Sequence, residues 1–326
     1  MLGMLLGVVF VAFQTVVVAD EVALDPVLSE QVQFYDGMLF GVLEKDQLIK
    51  QNLKGQAVWG VSFKGAIKQV QFRFGKAIVL SDDGRLTCLD LMYGYQEWEV
   101  LDFPVSEFFV SYPFISFVAA DGTAGVISFQ SGQLEWSRQI PGVKGLQQMG
   151  HSGVLAGVIG AELCILGLTT GEELGRYSLP DEKASLLKTF NEGGVLSHLS
   201  TYWVFNLKTK EFKRYRFNGD PMAWVQETFY VYYDELERLI VKVDAVTQEQ
   251  VWEIQLEKQP VSFFDSAHFM VVANQKSPSM LIDLRKGSAD TLDLQEVDIG
   301  QVRHMYYRAE QGVYFVTTST LVQVPL

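Results

Sequence analysis

Cysteine is almost missing from this chain: Cys88 and Cys164 are the only two in 326 residues, with no Cys-X-X-Cys spacing and no adjacent pair. That argues against a disulfide-stapled scaffold and against a zinc ribbon. Histidine is as scarce. His151, His198, His268 and His304 are scattered, none in a His-Glu-X-X-His pattern, so a zinc site has no support. No Asn-X-Ser/Thr sequon occurs, and glycosylation therefore gives no guide to compartment. Clustered positive charge is lacking too. The formal net charge is −13, and the one cationic stretch (Lys208, Lys210, Lys213, Arg214, Arg216) is interrupted by Glu211 and reads as a solvated turn and outer strand. Binding a phosphate backbone needs concentrated Lys and Arg, so nucleic acid is not an expected partner.

Residues 1–19 contain no charged side chain and end in Val17, Val18 and Ala19. Small or apolar residues at the last and third-last positions suit signal peptidase, so a signal peptide 1–19 is expected, cut before Asp20, followed by a single domain over 20–326. The basic residue usual near the start of a leader is absent. About 20 apolar residues can just span a bilayer, which leaves a retained anchor as the alternative. No later stretch reaches that length without a charge or a turn signal.

Catalytic patterns are equally thin. Gly150, His151, Ser152 and Gly153 lack the five-residue spacing and the strand-to-helix setting of a nucleophile elbow. Asp82, Asp83 and Gly84 are not followed by the alternating acidic positions of a calcium loop and read as a tight turn. The chain is expected to be no enzyme, to need no cofactor and to have no identified small-molecule substrate.

What is present is a repeat. Gly55, Gly94, Gly132, Gly171 and Gly287 fall on one grid with a period of about 39 residues, and Lys210 and Gln248 occupy the grid points between. Trp59, Trp98, Trp136 and Trp252 each lie four residues past such a turn. A second marker runs alongside: Gln31-Val32-Gln33-Phe34 returns as Gln69-Val70-Gln71-Phe72, and Gln301-Val302 lies almost six more periods downstream. Within a period, short apolar runs alternate with Asp-Gly, Ser-Gly and Thr-Gly pairs, which reads as four strands. Runs such as 115–120 and 154–159 are apolar throughout, as in sheets covered on both faces. The predicted fold is all-β, an eight-bladed propeller of the PQQ/WD-like type, with blades of about 39 residues counted from Gln31.

Seven full periods reach about residue 299, and 301–326 then supplies three strands: 301–307, 312–317 and 321–324. The missing fourth is assigned to residues 21–25, so the last blade is 301–326 plus 20–30 and the two ends of the chain close the ring. An unpaired edge strand favours that closure. The alternative is seven blades with a terminal cap. The repeat residues are read as structural, each indole packing between neighbouring blades, with Trp203 and Trp224 off the grid as local core. Cys88 and Cys164 fall at nearly one strand position two blades apart, too far for a disulfide, and are expected to be buried free thiols.

Leu43 to Leu48 with Asn52, Gly55 and Trp59, then Asp83-Gly84-Arg85-Leu86 to Trp98, and Ser131-Gly132-Gln133-Leu134-Glu135-Trp136, resemble the first luminal repeats of the endoplasmic reticulum membrane protein complex subunit 1 family. The resemblance covers roughly residues 20–180. It implies a non-catalytic luminal scaffold of a membrane-protein insertase complex, with other subunits of that complex as partners, held at the endoplasmic reticulum membrane through them or through a further C-terminal helix. The runner-up resemblance is to BamB-like periplasmic propellers, scaffolds of outer-membrane protein assembly. Quinoproteins that use pyrroloquinoline quinone share this kind of repeat, yet their adjacent cysteines and calcium-binding acidic cluster are missing here. The luminal domains of unfolded-protein sensor kinases share the Asp-Gly-Arg-Leu and Gly-X-X-X-Trp flavour, without the kinase. The connectors 183–194 and 274–278 are the expected contact loops.

Overall fold

The computed structural model describes residues 20–24, 30–199, 201–215, 221–225, 228–266, 268–274, 278–294, 297–308, 311–317 and 319–325. The expected signal peptide 1–19 lies outside the described residues, as do 275–277 of the second expected contact loop.

Eight four-stranded antiparallel sheets account for all the strands described. Seven are continuous in sequence, covering 30–62, 67–100, 105–139, 143–178, 185–215, 221–255 and 262–292. The eighth is composite. His304–Arg308, Gly312–Val316 and Thr320–Val324 form its first three strands, and Asp20–Ala23 adds the fourth, with Asp20 opposite Gln323 and Ala23 opposite Thr320. The eight-blade count and the closure by both ends of the chain are therefore what the structure shows.

Each blade runs first strand to fourth strand outward from the axis, and the first strands of successive blades lie beside one another around the ring. The core is divided accordingly. Eight apolar clusters each join two consecutive blades, for example Ile78, Leu80 and Cys88 of the second blade against Phe108, Phe117 and Phe129 of the third. The cluster of Leu39, Phe34 and Ile49 with Tyr314, Val316 and Leu321 joins the first blade to the eighth. Middle strands such as Lys76–Ser81 and Gly312–Val316 are buried along their whole length because they are covered on both faces. That is why their sequences lack strict alternation.

Side chains also stitch blade to blade near the axis. The Gln71 amide donates to Phe108 O at 3.3 Å and its Oε1 accepts from Val110 N at 3.3 Å, so one side chain satisfies the free edge of the next blade. Glu107 Oε1 accepts from Gly145 N at 2.7 Å one blade further on.

Two expectations need correction. Gln301-Val302 does not begin a strand: Ile299–Gln301 is a short 3-10 turn capped by Asp298, and the strand starts at His304. The stretch 183–194 is no loop, since Ser185–Phe190 and the start of Gly193–His198 pair as the first two strands of the fifth blade. Its apolar residues Leu186 and Phe190 are claimed by sheet packing.

Candidate interaction surface

The repeat residues come together across blade boundaries. In five blades the fourth strand carries a bulge one residue before the tryptophan position, at Val58, Glu97, Glu135, Leu174 and Val251. In four of them the bulge presents an indole to the turn of the following blade. A β-carbon built on Gly94 would sit 2.7 Å from Trp59 Cδ2; on Gly132, 2.7 Å from Trp98; on Gly171, 2.5 Å from Trp136; on Gly287, 2.8 Å from Trp252. The glycine is thus a seat for the neighbour's indole. Positive φ alone does not require it, because Lys210 and Gln248 hold the same turn at φ 62° and 63°. Those two turns follow blades with Gly175 and Arg214 in place of tryptophan. Gly55 follows the composite eighth blade, which has no tryptophan, and has φ 73°.

The four indoles differ in their hydrogen bonds. Trp98 Nε1 donates to Phe129 O at 3.3 Å and Trp136 Nε1 to Leu168 O at 2.7 Å. The equivalent acceptor for Trp59 is Leu91 O, and Lys50 Nζ takes it at 2.9 Å. Lys50 is the cross-strand partner of Trp59, where Trp98 and Trp136 face Cys88 and Val126. In the sixth blade Lys242 likewise faces Trp252 and donates to Arg285 O at 3.3 Å. Trp59 Nε1 and Trp252 Nε1 are left buried without a partner. At Trp59 the ammonium wins because a charge-assisted bond outweighs a neutral one, whereas Lys242 takes the carbonyl one residue past the equivalent Leu284 O.

Several groups with catalytic potential are buried or paired, and His268 Nδ1 is buried without a partner. Cys88 and Cys164 are free and buried, their thiols pushed up by burial to about 12 and about 11. His198 Nδ1 lies 2.8 Å from Asp181 Oδ2, a contact that, with the Lys183 amide, holds the Asp181 carboxyl below its usual range. His304 on the innermost strand of the eighth blade and Asp265 on that of the seventh are coupled, and burial pushes the imidazole down and the carboxyl up. Arg176 pairs with both Glu173 and Glu162 beside an open cleft of about 370 Å³, also lined by Arg138 and Pro141. Lys76 pairs with Glu97. Ser152 Oγ donates to Met149 O, which makes 150–153 a turn between strands, and Gly84 N donates to Ser81 O in the Asp82–Asp83 turn. Among the described residues, no three His, Cys, Asp or Glu side chains converge as metal ligands would.

The ring has two dissimilar faces. Turns between second and third strands, with the inter-blade connections, make one, rich in carboxylates at Glu44, Asp82, Asp83, Asp102, Glu235 and Glu237, with Leu199 and Leu236 largely exposed among them. Turns between first and second and between third and fourth strands make the other. There, in the second and third blades, Phe74, Met92, Tyr93, Tyr95 and Tyr112 are exposed. Sequence reasoning missed this cluster because its members come from turns of different blades, and only the ring brings them together.

No protein-family model matches the chain, and no curated protein matches it. Solved structures do. BamB from Moraxella catarrhalis shares 12% identity at a TM-score of 0.57, covering 95% of this chain and 100% of that one. The computationally designed Ika8 protein shares 14% identity at a TM-score of 0.64, covering 92% of this chain and 98% of that one. The likeness is one of fold. A BamB-like propeller architecture is established by it.

Proposed function

We propose that this chain is a non-catalytic scaffold: a luminal subunit, similar to subunit 1 of the endoplasmic reticulum membrane protein complex, that holds other subunits of a membrane-protein insertase. The observation that carries the reading is where its reactive groups sit. The Cys88 and Cys164 thiols are buried between blades, His198 is held by Asp181 and Arg176 by Glu173 and Glu162, and the varied exposed chemistry is left to turns on a closed ring. The acidic face, with Leu199 and Leu236 standing out of it, is the surface this reading gives to partner subunits.

The test is affinity purification from membranes in mild detergent followed by mass spectrometry. Recovery of multispanning subunits supports the insertase reading, and reversing Glu235 and Glu237 to lysine should reduce it several-fold. Recovery of an outer-membrane barrel machine would favour the BamB-like alternative instead. Recovery of no partner from either membrane contradicts both.

A further inference from the structure

We propose that the face opposite the acidic one rests on a lipid bilayer, with the turns 74–75, 91–95 and 112–113 in the headgroup region. These turns, with 129–133 beside them, contain no charged residue. Phe74 is 63% exposed, Met92 65%, Tyr93 66%, Tyr95 55% and Tyr112 48%. They form one patch: the Phe74 and Tyr112 rings are 4.8 Å apart, those of Tyr93 and Tyr95 6.3 Å apart, and Leu91 N donates to Gly75 O at 2.9 Å, tying the two turns of the second blade side by side. Large apolar side chains gathered in water are costly without something to cover them.

The occupant is chosen by two further observations. Asp20 opens the strand that pairs with Thr320–Val324, and the antiparallel register places Asp20 at the end of the eighth blade that belongs to this same face. The residues joined there, 1–19, are uncharged and apolar in sequence; here they are taken as a retained anchor, the alternative to a cleaved leader, and an anchor joined at Asp20 turns this face of the ring toward the lipid. Charge agrees. The carboxylate-rich face points away from the headgroups, and the side that meets them is the uncharged sector of a chain with formal net charge −13. Phe, Met and Tyr also suit the site, since amphipathic aromatic rings prefer the boundary between headgroup and acyl chain. The inference stands apart from the choice of partner complex.

Full-length protein reconstituted on phosphatidylcholine vesicles, with no other protein present, is examined by amide hydrogen exchange. Amides of 74–75, 91–95 and 112 should slow by about fivefold or more relative to detergent-free protein without vesicles, while 82–85 and 235–238 on the acidic face stay unchanged. Replacing Phe74→Ser, Tyr93→Ser and Tyr95→Ser together should abolish the slowing, and Leu236→Ser should not. Equal slowing on both faces, none on either, or slowing that survives the triple replacement would overturn the proposal, as would slowing that appears only when membrane-protein subunits are added. The scaffold reading is untouched by any of these results, because its own test needs partners that the vesicles lack.

Discussion

Trp59 of the first blade lies against Gly94 of the second, close enough that no β-carbon fits between them. The same relation holds for Trp98 and Gly132, Trp136 and Gly171, and Trp252 and Gly287, and at two of the three turns whose preceding blade lacks the indole the glycine is replaced, by Lys210 and Gln248, while Gly55 keeps it. Gly94→Ala is therefore expected to cost about 2–5 kcal/mol, combining overpacking of about 1–3 with a left-handed backbone penalty of about 1–2. In a Trp59→Ala background only the backbone part should remain. Chemical denaturation of the four proteins in a double-mutant cycle checks this, and strictly additive costs would refute the contact as the reason for the glycine.

Indole exchange separates the two kinds of tryptophan. Trp98 and Trp136 should show slowly exchanging Nε1–H signals in nitrogen-resolved NMR, because each donates to a carbonyl of the next blade. Lys50→Met should release Leu91 O to Trp59 and slow its indole exchange, with a stability change within about 1.5 kcal/mol.

Both thiols should be silent in the folded protein. Burial raises Cys88 to about 12 and Cys164 to about 11, so neither should react with a disulfide reagent at pH 8 until denaturant is added. Rapid reaction of one thiol in the native state would place it outside the inter-blade layer.

His304 gives the acid response. Its imidazole is held below 6.5 by burial first, with Asp265 opposing, so the unfolded chain takes up a proton before the folded one does. This group costs nothing above pH 7 and removes stability as pH falls through 6.5 towards the folded value. Asp265, raised by burial, acts in the opposite direction at lower pH, since its protonation favours the fold. Asp265→Asn should shift the His304 titration further down in an NMR pH series, and an upward shift would contradict the coupling.

Much of this was legible in the sequence, for physical reasons. Gly94 and Trp98 announce the period because each is fixed by a steric contact across a blade boundary, Gly94 with Trp59 and Trp98 with Gly132, and Gln71 repeats a marker because its side chain closes the edge of the next blade. Lys210 and Gln248 could be placed on the grid only by counting, since nothing seated on them demands glycine. Gln301-Val302 misled by matching the marker while lying in a capped turn upstream of its strand. The competition of Lys50 with Trp59 depends on cross-strand register, and the Phe74, Tyr93 and Tyr112 patch on ring geometry. Neither leaves a local signal.

Ring closure is the claim on which the stiff scaffold rests, and native-state hydrogen exchange of Asp20–Ala23 and Thr320–Val324 tests it most directly. The account predicts that amides bonded between these strands exchange only through the opening that releases the neighbouring blades, with free energies near the global value. Exchange of Asp20–Ala23 at the rate of an unstructured peptide, while the other blades remain protected, would contradict it.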